Sequence, residues 1–340
     1  MIKNRAIAAW LFAVSSLVVL CALHGGWIRM ARSGVPVAEW TPSVALLPPT
    51  TDAEWQQAAE AYRRAGAAES ERAGLSLAAY RQRYWATYTH RLLARLTALA
   101  FVLPLLLFVA RGAILRPHLP RFALPALALI GQELLGAHLA TTAATAAGTS
   151  GPLLAALHPA CGSLLLAVCF WMGLGYAIGQ PRPEQPRVKA PVRRWSVAVL
   201  TAVSVQALGG MLAARLSAGT VTDSFPLMTG RLIPDGLLEL SPWLTNFTAN
   251  AVTVHFTHRW FGFVVLGLAA TLNRCAKLEL LPPYLGGGAA ALLHGVSLQM
   301  VVGIAMVLLG TPPALALVHQ AVGLAVMGAA LFTCHRAFRS

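Results

Sequence analysis

Charge is scarce in this sequence: Asp, Glu, Lys and Arg make up 11% of 340 residues, while 57% are hydrophobic. A water-soluble domain carries about a quarter charged residues, so the composition excludes a soluble globule. Acidic residues are scarcest, 12 against 26 Lys and Arg, which leaves a formal net charge of +14. In a soluble chain that excess would suggest nucleic acid. Here the basic residues cluster in short loops between apolar runs, which is how topology is encoded in a membrane protein. Cysteine is rare as well, with only Cys21, Cys161, Cys169, Cys275 and Cys334. None stands in a C-x-x-C or Cys/His zinc pattern and none falls in an outer loop, which argues against structural zinc and an exported disulfide.

What is abundant is apolar run length. Mean hydropathy is +0.63, and stretches near 20 residues, the length that spans a bilayer as a helix, fall at 7–24, 86–110, 122–142, 152–178, 195–214, 250–273, 285–309 and 314–334. Basic residues mark one side of these spans: Lys3 and Arg5; Arg111, Arg116 and Arg121; Arg182, Arg187, Lys189, Arg193 and Arg194; Arg274 and Lys277; Arg336 and Arg339. The short loops at 143–151 and 310–313 carry no charge. The positive-inside rule therefore predicts an all-α integral membrane protein of eight helices with both termini cytoplasmic, and a bacterial inner membrane is the simplest location. The first span lacks a small-residue cleavage site and is expected to be a retained helix rather than a removed signal peptide. Two longer outer segments remain. The first, 25–85, contains a charged, Ala-rich stretch from Asp52 to Arg83, and the second, 215–249, contains Phe225-Pro226-Leu227-Met228 and Pro234. Their amphipathic character predicts helices lying on the membrane surface, or else solvated connectors.

The two halves echo each other. Gly25-Gly26 followed by Arg32-Ser33-Gly34 matches Gly209-Gly210 followed by Arg215 through Gly219. Thr89-His90-Arg91 matches Thr257-His258-Arg259, Gln132 with Gly136 matches Gln299 with Gly303, and His158 through Gly162 matches His319 through Gly323. Four matches in one order predict two tandem four-helix bundles, 1–180 and 181–340, as parallel repeats.

His90, His158, His258 and His319 lie on the even-numbered spans at a common depth. Histidine inside a span is costly and marks function. Two imidazoles facing each other inside an apolar bundle suit the axial positions of a haem iron. Arg91 and Arg259 directly follow two of these histidines, and guanidinium suits a haem propionate. Arg95 either pairs with a propionate or snorkels to the surface. His24, His138, His255 and His294 have no repeat partner and are expected to be structural, whereas His118 and His335, at cytoplasmic ends, are expected to be solvated. Gln132 and Gln299 with their glycines suggest helix-contact glue. Glu133, the one acid well inside a span, is either functional or a carboxyl kept neutral by burial.

Across nearly its whole length the chain resembles the haem A synthase family. The resemblance is carried by Gly25-Gly26 with Arg29, Ser33-Gly34, Glu39-Trp40-Thr41-Pro42, Pro48-Pro49 and Tyr84-Trp85 before His90-Arg91. In the second half it rests on Gln206 through Gly219, Phe225 through Met228, His258-Arg259, Gln299, Gly303-Ile304 and His319-Gln320. It implies a haem b cofactor between His258 and His319 and a haem o substrate near His90 and His158. The implied reaction is oxidation of the ring methyl at C8 to an aldehyde. It also implies partners: the lipid bilayer, a haem O synthase that supplies the substrate, and an electron donor.

The chain departs from the family pattern mainly in its first half. Thr87 stands where the family has a glutamate three residues before the first ligand, Glu133 where a glycine follows Gln132, and Pro159 where leucine follows His158. The extracytoplasmic cysteine pair of part of the family is missing, which places the chain in the cysteine-free subgroup. A non-catalytic haem-binding membrane protein and a di-haem electron-transfer cytochrome are the alternative functions.

Overall fold

A computed structural model describes residues 2–31, 47–64, 74–142, 151–178, 188–279 and 283–339. The Ser33-Gly34 and Glu39 to Pro42 motifs, Arg32, Arg182, Arg187 and the loop at 143–150 lie outside the described residues. Eight helices are long and apolar enough to cross a membrane: α1 (Ile2–Met30), α2 (Leu77–Ala110), α3 (Ala123–Thr142), α4 (Pro152–Ile178), α5 (Ala190–Arg215), α6 (Ala251–Leu278), α7 (Pro283–Leu308) and α8 (Pro313–Phe338). Among the described residues the only β pairing is an isolated bridge between Met228 and Arg231.

Side-chain size sorts the helix faces. Lipid is as apolar as leucine, so large side chains need not be buried and tight packing decides which face turns inward. Leu103, Leu106, Leu127 and Val301 are accordingly exposed. Helices α1 to α4 enclose one core of Ile7, Trp10, Leu11, Val14, Phe101, Phe122 and Leu165. The Trp10 indole anchors it by donating to Ala100 O at 2.6 Å. Helices α5 to α8 enclose a second core of Val192, Val199, Ala269, Leu272, Leu285, Leu292 and Ala330. Between the two, α1 and α4 pack against α8, and α4 also against α5. Phe170 and Trp171 of α4 reach the second core, while Leu324 of α8 reaches the first.

Three elements differ from expectation. Helix α1 does not stop at residue 24 but runs through Gly25-Gly26 to Met30. Glycine costs helix propensity, yet these two sit where neighbouring side chains press against the backbone, and packing overrides propensity. The Asp52 to Arg83 stretch is not one surface helix. Asp52–Arg64 forms a short helix, and α2 already begins at Leu77, capped by the Ser76 hydroxyl. Thr51 and Glu54 make a capping box on the short helix, with Glu54 N donating to Thr51 Oγ1 at 3.3 Å. Trp55 and Tyr62 then dock it on Tyr80 and Tyr84 of α2.

The segment 215–249 is not an amphipathic surface helix either. Pro226, Pro234 and Pro242 and the left-handed Gly230 and Gly236 (φ +82° and +84°) break it into turns. Fully buried Asn246 gathers those turns, donating to Leu240 O at 2.8 Å and Trp243 O at 2.9 Å. The result is a compact cap on the N-terminal end of α6, held there by Leu238 N donating to Thr253 Oγ1 at 3.0 Å. Reporter fusions at Arg116 and Arg194 are expected on one side of the membrane and a fusion at Asp235 on the other. Finding Arg194 and Asp235 on the same side would contradict the α5 crossing.

Candidate functional site

Each of the four histidines rests on a glycine of the preceding helix. A Cβ added at Gly25 would stand 2.8 Å from His90 Cε1, at Gly136 3.1 Å from His158 Cε1, at Gly210 3.1 Å from His258 Cε1, and at Gly303 3.0 Å from His319 Cε1. A Cβ at Gly25 would clash with its imidazole, and one at the other three would force the ring to give by a few tenths of an ångström, so the Gly-Gly and Gln-x-x-x-Gly signals are helix-contact devices with a specific cargo. His158 and His319 each lie six residues beyond the proline that opens their helix, Pro152 and Pro313. Helix α4 stays continuous through Pro159.

In the first bundle the His90 and His158 rings lie 6.5 Å apart at 71°. Two imidazoles bound to one metal from opposite sides, with bonds of about 2 Å, hold their ring centres roughly 6–6.5 Å apart. The nitrogens are also sorted. His158 Nδ1 lies 3.0 Å from the Gln132 carbonyl. A carbonyl only accepts, so Nδ1 carries the proton and Nε2 keeps the lone pair that a metal needs. His90 Nδ1 lies 3.7 Å from Cys21 Sγ. In the second bundle His258 and His319 are within electrostatic reach of each other. His258 Nδ1 and His319 Nδ1 are buried with no hydrogen-bond partner, while Gln299 Nε2 lies 3.1 Å from His319 Nε2. An amide nitrogen only donates, so the Gln299 contact occupies the lone pair of His319 Nε2 as the pair stands, whereas the first pair, with its ring spacing and with His158 Nδ1 committed to a carbonyl, has the geometry of an axial-ligand role.

Glutamine supports three of the four seats. Gln132 Oε1 stands 2.8 Å from where a Gly162 Cβ would be, Gln299 Nε2 3.2 Å from that of Gly323, and Gln206 Nε2 3.5 Å from that of Gly262. Gln206 also donates to His258 O at 2.9 Å. Gln206 was not singled out in the sequence for this role, although Gln206-x-x-x-Gly210 repeats the spacing of Gln132-x-x-x-Gly136 and Gln299-x-x-x-Gly303. Cys21, four residues before Gly25, holds the fourth place.

Other sequence-based assignments move. Arg259 is tied to the turns that cap α6: its Nε donates to His255 Nε2 at 3.0 Å and one terminal nitrogen to Ser224 O at 3.0 Å, while the other, Nη1, is buried with no hydrogen-bond partner and is left for an acceptor such as a propionate. His335 is not solvated. It is fully buried, edge-on to Trp171 at 4.9 Å, because α8 turns its last two turns into the interface with α4. His24, expected to be structural, lies 6.2 Å from the His90 ring. His294 only bonds back to Ala290 O at 2.8 Å on its own helix. Thr87 likewise bonds to Arg83 O at 3.2 Å. Glu133 lies within electrostatic reach of both Arg95 and Cys21, close to the first histidine pair.

Eight apolar helices and two paired-imidazole sites on glycine seats define an all-helical integral membrane protein built around histidine pairs. Residues 8–331 match the family described as cytochrome oxidase assembly protein, and the chain belongs to that family. It is similar to the haem A synthase of Rhodopseudomonas palustris strain HaA2, 34% identical with 98% of this chain and 91% of the relative covered. It is similar also to that of Methylobacterium radiotolerans, at 34% over 96% and 88%. The haem A synthase of Wolbachia pipientis from Culex pipiens is 30% identical over 99% of each chain.

The seats predict a graded outcome. Gly303→Val drives a branched side chain into His319 and is expected to remove most haem bound at that pair, measured as haem absorbance per protein. Gly267→Val, where no atom lies within 4 Å of the added Cβ, is expected to leave binding intact.

Proposed function

We propose that this chain is a haem A synthase, oxidising the C8 methyl of haem o to a formyl group to give haem a for cytochrome oxidase. Its membership of the family over residues 8–331 and its similarity to proteins of that name support the reading. The C-terminal half, 181–340, holds haem b between His258 and His319. The N-terminal half, 1–180, takes haem o between His90 and His158. The observation that carries this assignment is the first pair: rings 6.5 Å apart, with His158 Nδ1 committed to Gln132 O at 3.0 Å. The basic clusters on one side of the spans support cytoplasmic termini in a bacterial inner membrane.

When bound, haem b supplies one-electron chemistry. His90 and His158 would hold the substrate iron and so fix the depth and plane of the ring within the bundle. The glycine seats keep both imidazoles in one rotamer, so orientation is set before the substrate arrives. Thr87 cannot ionise, and its hydroxyl donates to Arg83 O at 3.2 Å, so it supplies no carboxylate base near the pair. Glu133, within electrostatic reach of Cys21 and Arg95, would take the proton given up as the methyl is oxidised. Arg95 in turn steadies its charge.

Co-expression with a haem O synthase, followed by pigment extraction and chromatography, tests the reading. The wild type should yield haem a or its hydroxylated precursor. His258→Ala or His319→Ala should lose most haem b, whereas His90→Ala should keep it and lose conversion. Glu133→Gln should lower turnover at least tenfold with haem b unchanged. Extraction of unmodified haem b alone from the wild type would overturn the enzyme and point to a non-catalytic haem protein.

A further inference from the structure

The turn of α1 from Cys21 to Gly26 faces two partners at once. Residues four apart share one stripe of a helix, and the next pair of positions forms the adjoining stripe. Cys21 and Gly25 form the stripe on His90, with Cys21 Sγ 3.7 Å from Nδ1 and Gly25 directly under the ring. Ala22 and Gly26 form the stripe on Gln320 of α8. Gln320 Nε2 donates to Ala22 O at 2.8 Å, and its Oε1 occupies the space a Gly26 side chain would need, 1.9 Å from the position of the Cβ. Gln320 directly follows His319.

Accordingly, we propose that Gln320 is a positioning residue: it locks the α1 turn that seats His90 to the helix that carries His319, so that the substrate site depends on a side chain of the other bundle. The inference rests on the function proposed above. Three features make the contact more than packing. Ala22 O already lies within a helix, so the amide adds a bond across the bundle interface rather than replacing one inside it. Gly26 is required for the amide to approach at all, just as Gly25 is required for His90. The repeat-related position on α4 is Pro159, which has no donor, so the tie runs from α8 to α1 with no counterpart from α4 to α5. Glycines in series therefore serve different ends on one turn: Gly25 admits the ligand, and Gly26 admits the strut that holds Gly25 in place.

The test is equilibrium titration of purified, haem b-loaded protein with haem o, read by its absorbance and by the EPR signal of the added haem. Gln320→Ala and the volume-keeping Gln320→Met should weaken haem o binding about five- to tenfold, the effect of one buried hydrogen bond, and shift its EPR signal. The haem b spectrum and stoichiometry should stay unchanged. Gly26→Ala, which pushes Gln320 away, should weaken binding similarly, and Gly26→Ala with Gln320→Ala should be no weaker than Gln320→Ala alone. Unchanged haem o affinity in both Gln320 variants would overturn the inference. So would loss of haem b in parallel, or strictly additive effects in the double variant. If the wild type binds and converts haem o while Gln320→Met matches it, the inference fails and the function stands. If the wild type takes up no haem o, both fail.

Discussion

An imidazole placed inside an apolar span must be supplied with partners, and in this protein the supply depends on helices approaching closely enough to touch it. Leaving a buried polar group unsatisfied costs about 1–3 kcal/mol, and a bilayer offers no water to relieve it. Four glycines allow that approach, one facing each of His90, His158, His258 and His319. The Gln132 carbonyl, the Gln206 and Gln299 amides and the Cys21 thiol then fill the space one turn away. Removing the glycines would separate the helices and leave the histidines without support, so the sites and the packing are a single arrangement.

That dependence also explains why the two halves are joined where they are. The interface between the bundles is built from α1, α4, α5 and α8. It contains turns that adjoin the histidine seats rather than neutral surface: Gln320 against Ala22, and Arg29, four residues past Gly25, whose guanidinium donates at 3.2 Å to the carbonyl of Ala214, four residues past Gly210. At the opposite end His335 is buried against Trp171. The halves are similar in design yet not interchangeable. The first replaces the supporting glutamine with Cys21, adds His24 beside His90 and Glu133 near Arg95, and carries Pro159 in place of Gln320. The second keeps glutamine support at both seats and gains a cap on the N-terminal end of α6 knotted by Asn246.

Much of this was legible in the sequence, because membrane helices announce themselves by length and apolarity alone. Eight spans, the repeat and the four histidines all follow from patterns that survive without knowledge of contacts. What was not legible depends on contacts between segments far apart. Helix α1 continues through Gly25-Gly26 because His90 and Gln320 press on it, whereas local propensity argues for a stop. Arg259 follows His258 in the sequence, but its bond to Ser224 O, 35 residues away, depends on how the turns of 215–249 fold back onto α6. Burial of His335 depends on how α8 leans on α4, which no local pattern encodes. Gln206 had a detectable signal, since its four-residue spacing to Gly210 is that of the other two glutamines. Gln320 had none beyond its place next to His319.

The central claim is that the two histidine pairs are two separate bis-imidazole sites, the C-terminal one holding a resident cofactor and the N-terminal one open to substrate. EPR spectroscopy of the purified ferric protein before and after addition of haem o tests it most directly. The account predicts a single low-spin bis-imidazole signal before addition and a second, distinct low-spin signal afterwards, each integrating to one haem per chain. A high-spin signal from the haem present at isolation, or haem o that adds only a high-spin signal, would contradict it.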